Sequence, residues 1–151
     1  MKEIYILRHA KSSWDNINLA DFDRPLAKKG ISDANKLCSF LKNHHFNTTK
    51  VICSNAKRAK ETFDLTADGF KFHINDAIYT DELYFGNIEI INEKIKETEE
   101  TSDNILIVGH NPTLHLLIEN LTDESILKFS TCNLAIICLL YTSPSPRDSD
   151  S

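Results

Sequence analysis

Short apolar runs alternate with longer amphipathic stretches along the chain, and each apolar run ends in polar residues. A run of this kind, rich in β-branched residues and bounded by polar ones, is typical of a buried β-strand. The pattern predicts five strands, which lie at 4–7, 51–53, 70–74, 105–108 and 134–139. The run at 105–108 is apolar throughout, which is typical of a parallel strand buried on both faces.

Between these strands, apolar residues recur at helical spacing. The spacing predicts four helices, at 28–45, 56–67, 87–100 and 112–121. Pro112 suits the first helical position because no backbone donor is needed there, and Asn111 suits the N-cap. The segments 12–25 and 81–84 are predicted as loops. Strands that alternate with helices predict an α/β fold whose sheet is mostly parallel.

Composition narrows the class of protein and its partners. A chain of 151 residues, 41% hydrophobic and 26% charged, is ordinary for one soluble globular domain. The net charge of -5 gives no reason to expect nucleic-acid binding. No apolar run is long enough to span a bilayer, and the first strand leaves no room for a signal peptide, so we expect no membrane partner. None of the four cysteines forms a C-x-x-C pair, which favours free thiols in a reducing cytoplasm.

The end of the chain differs in character from the rest. Residues 138–151 run from Cys-Leu-Leu-Tyr into a stretch rich in serine, proline and aspartate. This stretch resembles one reading frame of a transposase adapter used in sequencing libraries, which would make it foreign to the gene. We therefore predict a domain at 1–137 whose last strand is cut short, followed by a non-native tail at 138–151. A disordered native terminus is the alternative.

Two arginines and two histidines fall at the ends of predicted strands or just beyond them. Arg8 and His9 follow the first strand, His110 follows the strand at 105–108, and Arg58 lies in the first turns of the helix after 51–53. Side chains at the carboxyl ends of parallel strands face one crevice. Guanidinium groups bind tetrahedral oxyanions, a helix N-terminus favours anions, and a neutral imidazole can act as a nucleophile. The pattern predicts a phosphate pocket.

Three motifs around these residues resemble the histidine phosphatase superfamily, which has the phosphoglycerate-mutase-like fold. They are Leu-Arg-His-Ala at 7–10, with Ala10 where the family has glycine, Ser-Asn-Ala-Lys-Arg-Ala-Lys-Glu-Thr at 54–62, and Val-Gly-His-Asn-Pro at 108–112. Four further segments are similar to its small SixA-type phosphohistidine phosphatase branch: 8–14, 23–26, 81–84 and 131–133.

The resemblance implies a three-layer α/β/α architecture and a mechanism without metal or cofactor. His9 would attack phosphorus and form a phosphohistidine enzyme intermediate, which water then hydrolyses. Its attacking nitrogen must be unprotonated, so its other nitrogen should donate to a nearby carbonyl. Arg8, Arg58 and His110 would hold the equatorial oxygens, where transition-state charge spreads. Glu82 is either the proton donor to the leaving group or a solvated loop residue, and both interpretations stay open.

The expected substrate follows partly from the shortness of the chain, which has no long insertion to roof the pocket. An open pocket favours phosphohistidine on a phosphotransfer domain, and we expect a monomer. Lys11, Arg24 and Asn111 are candidate phosphate- or substrate-binding residues at its rim, with Lys57 a further basic candidate. A small-molecule phosphomonoesterase on the same fold is one alternative. A non-catalytic module that binds phosphate or phosphoproteins is another.

Overall fold

A single five-stranded sheet organises the protein, whose computed structural model describes residues 2–99 and 104–139. The strands are β1 (Lys2–Arg8), β2 (Lys50–Ser54), β3 (Ile78–Thr80), β4 (Asn104–Gly109) and β5 (Leu134–Leu139). Their order across the sheet is β3-β2-β4-β1-β5. The first four strands of that order pair in parallel, and β5 is antiparallel to β1.

Helices cover both faces of the sheet. They are α1 (Lys28–Lys42), α2 (Lys57–Phe70), α3 (Glu82–Phe85), α4 (Ile88–Glu99) and α5 (Thr113–Thr122). Two short 3-10 turns complete the described elements, at Asp21–Asp23 and Ile74–Asp76.

The side chains of β1 show why three layers form. Successive residues of a strand point to opposite faces. Ile4 and Ile6 pack in one core with residues of α3, α4 and α5, whereas Tyr5 and Leu7 pack in the other with residues of α1 and α2. All four side chains are at most 2% exposed. Burial on both faces confirms the expected α/β/α architecture and the mostly parallel sheet.

Two predicted elements are wrong. The strand predicted at 70–74 does not form, because Phe70 is the last residue of α2 and packs on Tyr5 in the core. Lys71 then adopts a left-handed conformation, with φ of 59°, and ends the helix. The third strand is β3 instead, an edge strand of three residues whose Ile78 is exposed, so it lacks a strong apolar signal. The loop predicted at 81–84 contains most of the short helix α3.

Helix ends also differ from the predictions. The first helix ends at Lys42 rather than near residue 45. The last begins at Thr113, with Pro112 as its N-cap, so Asn111 is not the capping residue. Asn111 Oδ1 instead accepts from the backbone N–H of His115 at 3.2 Å, while its Nδ2 donates to the Phe129 carbonyl at 2.7 Å. The bond to the Phe129 carbonyl connects Asn111 to a loop that is distant in the sequence.

The predicted strand at 134–139 is present as β5, and it extends two residues beyond the predicted domain boundary at 137. It pairs with β1 from Leu134 opposite Leu7 to Leu139 opposite Lys2. Residues 140–151 of the predicted foreign tail lie outside the described residues. The origin of the tail and the shortening of the last strand stay predictions.

Gly30 places the start of α1 against the chain just beyond β1. A Cβ atom at Gly30 would overlap the backbone carbonyl of Lys11, so only glycine permits this approach. The Lys11 carbonyl also accepts from the backbone N–H of Ala27, at 2.9 Å. The chain that follows Arg8 and His9 is therefore held against α1.

Candidate active site

The carboxyl ends of β1 and β4 bring the two predicted histidines together. Arg8 pairs with Gly109 in the register of the sheet, and the backbone N–H of His9 donates to the Gly109 carbonyl at 3.0 Å. The residues that follow on each strand are thus neighbours, and the ring centroids of His9 and His110 lie 5.1 Å apart. Both histidines are only 7% exposed.

His9 is held in the tautomer that a nucleophile requires. Its Nδ1 lies 2.7 Å from the carbonyl oxygen of Ala10. A carbonyl can only accept, so Nδ1 carries the ring proton and Nε2 is unprotonated, with a lone pair that can act as an acceptor or a nucleophile. Burial lowers the pKa of His9 to about 4, a shift that the nearby Arg58 and Arg8 reinforce although the hydrogen bond to Ala10 opposes it. The ring is therefore neutral near pH 7, as the proposed nucleophile must be.

Ala10 ties this turn to the helix that carries Arg58. Its backbone N–H donates to Thr62 Oγ1 at 2.9 Å, and the Thr62 hydroxyl donates in turn to the Arg58 carbonyl at 2.7 Å. Thr62 is fully buried. One threonine thus fixes the first turns of α2 against the end of β1, which places Arg58 beside His9.

His110 contacts a residue whose role in the site the sequence did not reveal. Its Nε2 lies 2.8 Å from the hydroxyl of Ser54, the last residue of β2. Ser54 Oγ already accepts from the backbone N–H of Ala56 at 3.1 Å, so its own hydrogen can point to Nε2. When the Ser54 hydroxyl donates in this way, the ring proton of His110 sits on Nδ1. This atom is buried and has no hydrogen-bond partner among the described residues. Burial lowers the pKa of His110 to about 3, with His9 and Arg58 adding to the shift.

The two arginines complete a set that we call the pocket floor: Arg8, His9, Arg58 and His110. Arg58 Nε donates to His9 Nε2 at 3.4 Å. Arg8 Nη1 donates to the Phe129 carbonyl at 3.2 Å, while its buried Nε has no hydrogen-bond partner in the described part of the chain. Burial and the charge of Arg58 lower the pKa of Arg8. Among the described residues, Arg8 Nε and His110 Nδ1 are thus buried nitrogens of the floor that make no hydrogen bond.

A cavity of about 310 Å³ opens above the pocket floor. We call the other residues that line it the pocket mouth: Lys11, Ser12, Trp14, Arg24, Asn111 and Thr131. Arg24 is 6% exposed and lies beneath the Trp14 ring, 3.3 Å from its centroid. Its Nε donates to the Ser13 carbonyl at 3.0 Å and its Nη2 to Ser12 Oγ at 2.6 Å. Arg24, Lys11 and Asn111 thus lie at the cavity as expected of rim residues.

Glu82 and Lys57 are not among the residues that line this cavity. Glu82 begins α3, and its Oε1 accepts from Lys94 Nζ at 2.8 Å and from the Thr80 hydroxyl at 3.3 Å. The hydrogen bond from Lys94 lowers the pKa of Glu82, so this exposed group is a carboxylate near neutral pH. Lys57 is exposed at the start of α2.

Asp21, like Ser54, contacts the site and was not predicted as a site residue from the sequence. Its carboxylate contacts Arg58, Arg24 and the Tyr84 hydroxyl at distances from 2.8 to 3.0 Å. Burial alone would raise its pKa, but these three hydrogen bonds lower the pKa of Asp21 to about 2. In the sequence, Asp21 lies three residues before Arg24 in a polar loop. This position alone does not distinguish it from Asp15 or Asp23 as a candidate site residue.

The model of one protein family matches residues 4–101, and that family is the histidine phosphatase superfamily, branch 1. The match covers more than half of the chain. This protein belongs to the histidine phosphatase superfamily. The family contains phosphatases and phosphoryl-transfer enzymes, and the paired histidines and arginines of the floor are the groups that such chemistry requires.

The relatives of this histidine phosphatase include proteins without an assigned activity. An uncharacterized chloroplastic protein of Arabidopsis thaliana is 32% identical over 144 residues, which cover 90% of this chain and 66% of the relative. An uncharacterized protein of Mycobacterium leprae is 32% identical over 143 residues, covering 87% of this chain and 86% of the relative.

Solved structures agree with the SixA-type resemblance and with the fold. A candidate phosphohistidine phosphatase SixA from Agrobacterium tumefaciens superposes with a TM-score of 0.80 at 27% identity, covering 89% of this chain and 90% of that one. A phosphoglycerate mutase from Bacillus anthracis shares the fold, with a TM-score of 0.68 at 18% identity over 89% of this chain and 86% of that one.

A metal-ligand cluster and a membrane-spanning helix are both absent from the part of the chain that the structure describes. Across residues 2–99 and 104–139, no three His, Cys, Asp or Glu side chains cluster as ligands for a metal ion. In the same part of the chain, no helix combines the length and the apolar character needed to cross a bilayer.

Proposed function

We propose that this histidine phosphatase hydrolyses phosphohistidine on a protein, without a metal ion, through a phosphohistidine intermediate on His9. The proposal rests on the tautomer and the position of the His9 ring. Its Nδ1 is committed to the Ala10 carbonyl, and its neutral Nε2 faces Arg58 in a cationic cavity.

The reaction follows from the donors of the pocket floor. The Nε2 lone pair attacks phosphorus, a new N–P bond forms, and the P–N bond of the substrate breaks with its electron pair going to the leaving imidazole. Arg8, Arg58 and His110 Nδ1 donate to the three equatorial oxygens as charge develops on them. Water then attacks the phosphorus of phospho-His9, releases inorganic phosphate and regenerates the free imidazole.

The state of Glu82 favours a P–N over a P–O substrate. An alkoxide leaving group needs a proton from a nearby acid, and Glu82 is ionised and bonded to Lys94. The labile P–N bond of phosphohistidine needs less help of this kind. We therefore infer that the site works without a carboxylic acid at the leaving group.

Exposed apolar side chains favour a protein as the carrier of the phosphoryl group. Trp14 in the pocket mouth is 71% exposed, Ile17 in the same loop is 88% exposed, and Phe85 at the end of α3 is 78% exposed. We infer that these side chains contribute to one protein-binding surface, since contiguous exposed apolar patches mark interaction sites. A cytoplasmic location, a monomeric state and the lack of nucleic-acid and membrane partners stay predictions of the sequence.

A substrate panel tests the proposal. Purified protein is assayed separately with a phosphotransfer domain that carries phosphohistidine, with a sugar phosphate and with a nucleoside monophosphate. The value of kcat/KM is measured for each substrate. We expect kcat/KM on the phosphohistidine protein to exceed the others by about 100-fold or more, a gap of about 2.7 kcal/mol in transition-state binding. Faster hydrolysis of a small ester would identify a phosphomonoesterase. If the protein binds inorganic phosphate but hydrolyses none of these substrates, it would be identified as a non-catalytic binding module.

A further inference from the structure

The loop 12–25 places one carboxylate directly against the cationic pocket. Asp21 Oδ2 accepts from Arg58 Nη2 at 2.9 Å and from the Tyr84 hydroxyl at 2.8 Å, while Oδ1 accepts from Arg24 Nη1 at 3.0 Å. The backbone carbonyl of Asp21 also accepts from Arg58 Nη1 at 2.6 Å. One residue therefore engages both terminal nitrogens of Arg58.

This arrangement determines where the third nitrogen of Arg58 points. A guanidinium group is planar and rigid, so fixing Nη1 and Nη2 fixes the direction of Nε as well. Arg58 Nε lies 3.4 Å from His9 Nε2, the atom proposed to attack phosphorus. Asp21 thus holds the Nε–H of Arg58 at the place where the phosphoryl group is transferred.

The same carboxylate acts against the binding of an anion. Its hydrogen bonds lower the pKa of Asp21 to about 2, so the residue is a carboxylate near neutral pH. A negative charge beside Arg58 and Arg24 repels a negatively charged phosphoryl group in the cavity that these arginines line. Because the Asp21 side chain is 48% exposed, solvent reduces this repulsion to a moderate size.

We propose that Asp21 is a positioning residue that orients Arg58 for phosphoryl transfer at the expense of affinity for the free anion. The orienting half of this inference rests on the proposed function, whereas the effect on anion affinity does not. Loss of the charge should therefore move affinity and turnover in opposite directions. A residue that merely supported the fold would weaken both together.

The test compares Asp21→Asn with Asp23→Asn, which makes the same change in net charge on the same exposed 3-10 turn. The dissociation constant of inorganic phosphate is measured by calorimetry, and kcat is measured on a phosphohistidine protein. We expect Asp21→Asn to bind phosphate about fivefold tighter, because a nearby negative charge is gone. We expect its kcat to fall about tenfold, because Arg58 Nη2 loses its charged acceptor and only the bond from Nη1 to the backbone carbonyl still holds the guanidinium. Asp23→Asn should change both quantities by less than about twofold.

Two further variants separate charge from orientation. Tyr84→Phe removes a hydrogen bond to Asp21 and keeps the carboxylate, so phosphate affinity should stay within about twofold of the wild type. Asp21→Glu keeps the charge and shifts it by one methylene, so its kcat should fall without tighter phosphate binding. This variant also serves if Asp21→Asn does not fold.

Parallel losses of phosphate affinity and kcat in Asp21→Asn would overturn the inference, and so would a variant indistinguishable from Asp23→Asn. Failure of the proposed function would look different. A wild-type protein that hydrolyses none of the phosphorylated substrates, combined with tighter phosphate binding by Asp21→Asn, would reject the phosphatase assignment and still support the effect of the Asp21 charge.

Discussion

The floor and the mouth of the pocket are built in different ways. In the floor, His9, Arg58 and His110 are each 7% exposed, and strand register together with the first turn of α2 determines their positions. In the mouth, Trp14 is 71% exposed and belongs to the long loop 12–25, which is held by side-chain contacts to Arg24. The floor is thus part of the core, whereas the mouth depends on polar contacts at the surface.

This difference separates chemistry from recognition. Burial keeps both histidines neutral near pH 7 and leaves Arg8 Nε and His110 Nδ1 without hydrogen-bond partners among the described residues, which suits phosphoryl transfer. The mouth carries Arg24, which is paired with Asp21, and the exposed Trp14 ring, and such groups suit the choice and placement of a substrate. Substitutions in the floor should therefore affect turnover strongly, while those near the mouth should have smaller effects.

After the loss of His9 itself, Arg58→Ala should have the largest effect on turnover. It removes a donor at His9 Nε2 and leaves Asp21 without one of its partners. We expect kcat to fall about 1000-fold, as for the loss of a transition-state donor in a buried site. Lys57→Ala, an exposed neighbour on the same turn, is the matched control and should retain most of the wild-type activity. A loss of similar size in both variants would mean that the helix, and not the guanidinium, is responsible.

The buried histidines predict a moderate dependence of stability on pH. A free histidine has a pKa of about 6.5, and burial lowers the pKa of His9 to about 4 and of His110 to about 3. As pH falls from about 6.5 toward 4, the unfolded chain binds protons that the folded protein does not. The free energy of unfolding should therefore fall by about 2–4 kcal/mol between pH 7 and pH 5, and it should level off above pH 7.

Urea unfolding in a phosphate-free buffer measures this dependence. The His110→Gln variant provides the control, because it removes one of the two titrating groups and should lose about half of the effect. A free energy of unfolding that stays constant from pH 5 to pH 7 in the wild type would show that the histidines of the floor are not held neutral by burial.

Glu82→Gln should have the smallest effect. Glu82 bonds to Lys94 and Thr80 and does not line the cavity, so we expect kcat/KM on a phosphohistidine protein to change by less than about threefold. The same variant is assayed on an alkyl phosphate, where a proton donor to the leaving group matters more. An equal and large loss on both substrates would identify Glu82 as the proton donor and contradict its assignment to the surface.

The same division explains what could be predicted from the sequence. Arg8, His9 and His110 could be predicted because each lies at the end of an apolar strand or directly after it, a local pattern that marks the edge of the sheet. Ser54 and Asp21 were missed as site residues because their contacts are not local. Ser54 meets His110 across 56 residues, and Asp21 meets Arg58 across 37.

The wrong third strand has a similar cause. The apolar residues at 70–74 were read by their local pattern, yet Phe70 belongs to the buried face of α2 and packs against Tyr5 and Phe46. The true edge strand, β3, is short and half-exposed, and its pairing with β2 determines it more than its own residues do. Packing between distant segments overrides local propensity at both places.

Detection of the phosphorylated enzyme tests directly whether His9 is the nucleophile. The wild type is mixed with a phosphohistidine protein, quenched within milliseconds under alkaline conditions, and digested for mass spectrometry. We expect a transient phosphoryl group on His9 of the wild type. A folded His9→Ala variant should carry no such group and should have no turnover. A phosphoryl group on another residue, or turnover by folded His9→Ala, would contradict it.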